Sequence, residues 1–366
     1  MTVCLSPNGS TVYESQAPVD DLLVATVDGI TRLRPEGASG NWRVVDVQLQ
    51  SLHISSILLE PLRGGLFAGV HGEGLYFSPD GGQSWEPRMA GLTVKHVFSL
   101  GHAQRAGSVV LYAGTEPAHL FESLDYGETW TELPALRHVP DTDKWTFPAP
   151  PHEGHVKSIV IDPRDAEVLF VGIEQGALLK SIDAGRTWRE LTGFAKPEDR
   201  AYKDVHRVVL RPANPDDVYM PSGIGLYASH DAGETWERIT DRTCRIGYPD
   251  QFLISPLDDR MLFMAGSAKS PGDWRTSHHA DATVMRSVDG GRSWDPAGDG
   301  LPQNMRGNIE AMSLGSYPGG FTLFAATTAG DLFTSDDEAQ SWRLIASGLA
   351  PISKVGHYKA LQDAAA

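Results

Sequence analysis

Ser78-Pro-Asp-Gly-Gly-Gln-Ser-Trp85 returns five more times along the chain. The copies are Ser123-Leu-Asp-Tyr-Gly-Glu-Thr-Trp130, Ser181-Ile-Asp-Ala-Gly-Arg-Thr-Trp188, Ser229-His-Asp-Ala-Gly-Glu-Thr-Trp236, Ser287-Val-Asp-Gly-Gly-Arg-Ser-Trp294 and Ser335-Asp-Asp-Glu-Ala-Gln-Ser-Trp342. The shared pattern is S-x-D-x-G-x-[ST]-W, and its aspartates (Asp80, Asp125, Asp183, Asp231, Asp289, Asp337) recur every 45 to 58 residues. A repeat of that period marks one supersecondary unit copied in tandem. The chemistry is that of a hairpin turn: a carboxylate accepts hydrogen bonds from the turn's own N–H groups, Gly takes the positive-φ position, and hydroxyls close the loop. The Trp is expected to pack between neighbouring sheets. In the sixth copy Ala339 replaces the Gly, which predicts a looser turn.

Ahead of each segment the same strands can be read. His155-Val-Lys-Ser-Ile-Val-Ile-Asp-Pro163 is an inner strand, Val168-Leu-Phe-Val-Gly-Ile173 a second, Gly176-Ala-Leu-Leu-Lys-Ser181 a third and Thr187-Trp-Arg-Glu-Leu191 a fourth. Parallel copies begin at His53, His96, Asp204, Tyr248 and Asn308. The four-stranded units therefore occupy about 49–90, 91–134, 155–192, 203–240, 247–297 and 307–346, with insertions at 134–154 and 267–282. A seventh unit is split: 20–48 supplies three strands without the turn motif, and 351–361, containing Ile352-Ser-Lys-Val-Gly-His-Tyr-Lys-Ala360, is expected to supply its inner strand.

These segments resemble the Asp-box, or BNR, repeat of sialidases, sortilin-type receptor domains, some seven-bladed glycosidases and a photosynthetic assembly factor, all of them β-propellers. The resemblance runs from about Leu22 to the C-terminus. It implies an all-β fold in one domain, a seven-bladed β-propeller of four-stranded antiparallel blades, with the ring closed by the C-terminal inner strand in the first blade. For function it implies little, because the families sharing the motif do unrelated things. Sialidases carry an Arg-Ile-Pro motif and an arginine triad; this chain has no Arg-Ile-Pro and offers histidine and acid at the aligned positions, so sialidase activity is disfavoured.

Composition supports the architecture. The 366 residues include 38 Gly and 24 Pro, which suit tight turns between short strands better than helices. The formal charge of −16 argues against nucleic-acid and anionic-membrane partners. No stretch has the length of a membrane helix, and the amino terminus lacks the basic start and apolar run of a secretory signal, so a cytoplasmic location is expected. Cys4 and Cys244 have no metal or redox spacing and are expected as thiols.

The turn aspartates, on one end of the units, are explained as turn chemistry. Candidate chemistry lies at the other end. Inner-strand entries carry His53, His96 and His155 at one aligned position, and two residues on come Ser55, Phe98, Lys157, His206, Asp250 and Glu310. Loops between second and third strands add His71 with Glu73, Glu116 with His119, Glu174, and His278-His279. His53, His96, His155 and His206 are the expected ligands of a divalent metal ion (Fe, Mn, Cu or Zn), with acidic residues orienting the rings. Glu174, Glu310, Asp250, Lys157, Glu73 and Glu116 are the expected catalytic groups, and Glu174 with Glu310 or Asp250 would form a glycosidase carboxylate pair. The two insertions, with Trp145 and Trp274, are expected to form a lid.

These features suggest an enzyme, a hydrolase, lyase or oxygenase, acting on a small-molecule or saccharide substrate of small or medium size and polar character. Two alternatives compete with it. One is a scaffold that docks a protein partner, as in the assembly factor; the other is a carbohydrate-binding propeller using Trp145, Trp274 and Tyr202. A scaffold would present a flat face and an enzyme a convergent pocket.

Overall fold

A computed structural model describes residues 1–37, 40–194, 203–241 and 243–361. Its strands form seven sheets, and the chain divides into two compact units, Ser56–Ile239 and Met1–Ser55 with Thr240 onward. The fold class is all-β, a seven-bladed β-propeller of four-stranded, mostly antiparallel blades, as the turn repeat implied. Among the described residues no helix is long and apolar enough to cross a membrane.

In the Ser56–Ile239 unit the strands of each sheet follow chain order. One sheet consists of His155–Asp162, Asp165–Glu174, Leu178–Ser181 and Arg189–Glu190, all antiparallel. Its first pairing contains an extra residue: Val156 faces Ile173 and Ser158 faces Gly172, which leaves Lys157 in a bulge. The preceding sheet has the same irregularity at Phe98, between Val97 and Ser99. A bulge re-aims its side chain and increases local twist. Gly114 and Gly172, on the second strands, provide room for the next sheet. A Cβ on Gly114 would lie 2.4 Å from Val156 Cγ1, and one on Gly172 would lie 2.5 Å from Val205 Cγ1. The insertion at 134–154 folds as two short 3₁₀ turns, Pro134–His138 and Thr142–Lys144, and buries Leu136, Val139 and Phe147.

All six repeated turns have one hydrogen-bond pattern. In the fifth, the Ser287 hydroxyl donates to Asp289 Oδ1 at 2.8 Å, Gly291 N–H donates to Ser287 Oγ at 2.8 Å, and the Ser293 hydroxyl donates to Asp289 Oδ2 at 2.6 Å. The sixth is not looser. Ala339 N–H still reaches Ser335 Oγ at 3.0 Å, and Ser341 Oγ reaches Asp337 at 2.6 Å, because Ala339 adopts a left-handed φ of 63°. The Ser293 hydroxyl, its N–H and the Ser287 hydroxyl hold the Asp289 carboxyl at about 2. At Asp231 burial opposes ionisation, but bonds from Thr235 and Ser229 overcome it, again leaving about 2. These carboxyls are depressed below the unfolded value of about 4, so their contribution is present above pH 4 and is lost as pH falls toward 2. Thermal unfolding followed by circular dichroism should show Tm falling through that window. Asp289→Asn should flatten the fall, and an unchanged slope would count against the assignment.

The other unit has three sheets. The first is Thr2–Leu5, Asp21–Thr26, Gly29–Pro35 and Trp42–Gln48; another is Tyr248–Ile254, Leu262–Ser267, Thr283–Ser287 and Asp295–Pro296. The last places Val12–Glu14 beside Ile309–Tyr317, Gly320–Thr327, Leu332–Ser335 and Arg343–Ala346. Asp250 and Glu310 occupy the bulge position here, as Lys157 does in the other unit.

The expected C-terminal inner strand is corrected by this topology. Thr2–Leu5 pairs in parallel with Asp21–Thr26, and Val12–Glu14 pairs in parallel with Ile309–Tyr317. Val3, Cys4 and Leu5 are fully buried, and Ser313 Oγ donates to Cys4 O at 2.8 Å, so the N-terminal segment takes the apolar position. Burial pushes the Cys4 thiol up to about 12. Residues 352–356 form no strand and lead into a short 3₁₀ helix, His357–Leu361; at their start Val27 N–H donates to Pro351 O at 2.9 Å.

Candidate functional site

The Ser56–Ile239 unit gathers its ionisable groups around Glu174. His155 and Glu174 are direct cross-strand partners at the ends of their strands, which brings the side chains together. His155 Nε2 lies 2.7 Å from Glu174 Oε2, and the two side chains are 0% and 1% exposed. The bulge brings Lys157 Nζ to 3.8 Å from the same oxygen. The entry to the next sheet supplies the rest: Asp204 bridges to Glu174 through its backbone, and His206 N–H is fixed on Pro221 O at 3.0 Å. His206 Nε2 is then 3.8 Å from Glu174 Oε1 and 3.6 Å from Asp204 Oδ1. A Cβ at position 223 would sit 2.0 Å from Asp204 Oδ2, so Gly223 creates the space for this carboxylate.

Glu174, Asp204 and His206 each offer a ligand atom, and the three atoms lie within 4.8 Å of one another. That donor set, two carboxylates and one imidazole, can hold a divalent cation. Around it, His155 Nδ1 is 3.5 Å from Glu116 Oε2, and Glu116 Oε1 is 3.8 Å from Nδ1 of His96, whose side chain is 38% exposed. Imidazole and carboxylate therefore alternate from a half-exposed ring to a buried centre. Phe98 stacks on His155 at 3.8 Å and Phe147 meets it edge-on at 4.8 Å. Such apolar walls strengthen the electrostatics of the pair they cover. Pro117 and Gly154, chain neighbours of Glu116 and His155, line an open groove of about 380 Å³ with Arg137, Trp145 and Glu153.

Of the predicted residues, His155, His206, Lys157 and Glu174 come together, with Glu116 and His96 reaching them through His155. Glu73 is exposed on the turn after Leu66–Val70. His53, Asp250 and Glu310 belong to the other unit. There His53 Nε2 pairs with Ser353 O at 2.8 Å, Asp250 pairs with Lys354, and Glu310 pairs with His357. Burial opposes ionisation of Glu310, yet the His357 and Lys354 charges hold its carboxyl below the usual range. Asp204 starts an aligned inner strand in the sequence, at the position of His53, His96 and His155, but is not among the expected site residues. Trp274 is no rim platform: it is 1% exposed within the helix Pro271–Ser277 and donates Nε1–H to Lys269 O at 2.9 Å. Tyr202 lies outside the described residues.

No family model matches the chain. The oligoxyloglucan-reducing end-specific xyloglucanase of Emericella nidulans is 23% identical over 151 residues, which cover 41% of this chain and 17% of that protein. The photosystem II assembly lipoprotein Ycf48 of Synechococcus sp. (strain CC9902) is 25% identical over 302 residues, covering 74% of this chain and 83% of that protein. Among solved structures, an ancestral GH74 enzyme superposes with a TM-score of 0.62 at 18% identity, covering 80% of this chain and 38% of that one. The matched part is thus a small fraction of the xyloglucanase, and likeness at this identity shows the fold.

Proposed function

We propose that this chain is an Asp-box propeller enzyme, a hydrolase or lyase with one divalent metal site in the Ser56–Ile239 unit. The carrying observation is the convergence of Glu174, Asp204 and His206, with His155 bonded to the far oxygen of Glu174. Glu174 and Asp204 would each give one oxygen and His206 its Nε2, and the absence of thiolate suits Mn, Fe or Zn. When bound, the cation would make a water molecule acidic or polarise a substrate oxygen.

His155 donates its Nε2–H to Glu174 and so fixes the carboxylate's orientation, the role outer groups play around metal ligands. Its Nδ1 faces Glu116, which can accept a proton and pass it toward His96. Lys157 presents a buried ammonium group beside Glu174, able to hold a substrate oxygen that gains negative charge. The adjoining groove, with Trp145, Arg137 and Glu153, suits a polar ligand such as a saccharide, the substrate class named for the xyloglucanase relative. A protein-docking scaffold is the second reading, favoured by the length over which the chain matches Ycf48.

Isothermal titration of the chelator-treated full chain with Mn²⁺ and Zn²⁺ tests the enzyme reading. One site per chain is expected, weakened at least about 10-fold in Asp204→Asn and in His206→Gln. If the wild type binds neither ion, or both variants bind as it does, the metal reading fails and the scaffold reading gains.

A further inference from the structure

In the Met1–Ser55 and Thr240-onward unit, the bulge residues Asp250 and Glu310 are both buried carboxylates, and both are answered by one segment that joins no sheet. Lys354 Nζ donates to Asp250 Oδ1 at 2.5 Å, and Asn308 Nδ2 holds the other oxygen at 2.5 Å. The Tyr248 ring lies 5.6 Å from the same ammonium group. Beside it, Glu310 Oε2 accepts from Lys354 N–H at 2.9 Å and from Ser353 Oγ at 3.3 Å, while Oε1 pairs with His357 Nδ1 at 2.9 Å. Trp274 stands edge-on to His357 at 6.0 Å, and Arg306 clamps the end of the segment through Leu361 O at 2.8 Å.

Residues 353–357 are therefore held as a ligand is held. Side chains bind them, the carboxylates of Asp250 and Glu310 among them, and no ladder does. Lysine is almost never fully buried without a partner, and a buried ion pair is a poor way to gain stability compared with apolar packing. A carboxylate, an amide donor behind it and an aromatic face together make a receptor for a primary ammonium group. A structural plug would need none of that chemistry.

We infer that the Asp250–Asn308–Tyr248 pocket is a primary-ammonium binding site, which the chain fills with its own Lys354, and that residues 352–361 form a strap exchangeable for an external ammonium ligand. Exchange would uncover Asp250 and Glu310 together. The ligand is either a free alkylamine or a lysine side chain on an extended peptide; both bring the same ammonium group. None of the residues named for this site is a residue named for the proposed metal centre.

The test uses the full chain in two forms. Lys354→Ala (Lys354→Ser should the alanine variant not fold) is expected to gain several degrees in Tm from n-butylammonium and none from tetramethylammonium, which has no N–H to donate. In the wild type, hydrogen exchange of the Lys354 amide is expected to speed up at least about 10-fold with n-butylammonium or with acetyl-Ser-Lys-Val-Gly-His-amide, relative to tetramethylammonium at equal ionic strength. A peptide effect at lower concentration than the amine identifies a peptide ligand; the reverse order identifies a free amine. Absence of either the Tm gain or the faster exchange overturns the proposal.

Discussion

Asp250→Ala is expected to destabilise the protein by about 3–5 kcal/mol, the cost of leaving a buried charge without its partner. Lys354 is 1% exposed and its ammonium donates to Asp250 at 2.5 Å. Removing the carboxylate leaves the ammonium group beside the Tyr248 ring, a contact already made in the wild type that therefore offsets none of the loss. Glu310 is engaged by His357, Ser353 and the Lys354 backbone. The double variant Asp250→Ala/Lys354→Met removes both charges and keeps the volume of the Lys354 side chain, so the part of the loss due to the unpaired charge should be recovered, while Asn308 still lacks its acceptor. Urea unfolding of the four members of this cycle measures the coupling directly. A single-variant loss below about 1 kcal/mol, the range of an exposed pair, would show that water reaches Lys354 and that the pocket is not closed.

Gly172→Val carries the second large effect, a loss of about 3 kcal/mol at the upper end of the overpacking range. A Cβ there would lie 2.5 Å from Val205 Cγ1 and 3.2 Å from Val205 Cβ, and Val205 is fully buried. A β-branched side chain has little rotamer freedom with which to yield. Relief must come from moving the segment that carries Asp204 and His206, so the variant should also weaken binding at the proposed metal site. Pairing Gly172→Ala with Val205→Ala restores the room and should recover most of the stability. Calorimetry and metal titration on Gly172→Val and on the double variant check both parts, and a Gly172→Val protein as stable as wild type would refute the packing argument.

Much of the fold was legible because the turn motif is local. Ser, Asp, Gly and Ser/Thr within eight residues carry the whole hydrogen-bond pattern of the turn, and the same run of strands ahead of each copy gives the count. The aligned inner-strand positions were legible too, down to Lys157, His206, Asp250 and Glu310. Their chemistry was not, because a bulge is a property of two paired strands and leaves no mark on one of them. Asp204 had no such mark either: its aligned position holds histidine in three other copies, and the register does not distinguish an imidazole from a carboxylate. The first sheet's inner strand was misplaced because Thr2–Leu5 is four residues long and pairs in parallel, without the hairpin that announces an antiparallel partner.

The sequence by itself determined the repeating turn, the strands that run up to each turn and the row of positions where chemistry stands. Those depend on contacts within a few residues, where side-chain type and spacing are sufficient. Only the tertiary structure decided which members of that row meet. His155 and His206 both meet Glu174, whereas Asp250 and Glu310 are claimed by Lys354 and His357 from a segment 44 or more residues away in the chain. Buried charge must find a partner wherever the fold brings one, and the identity of that partner is set by packing between distant segments.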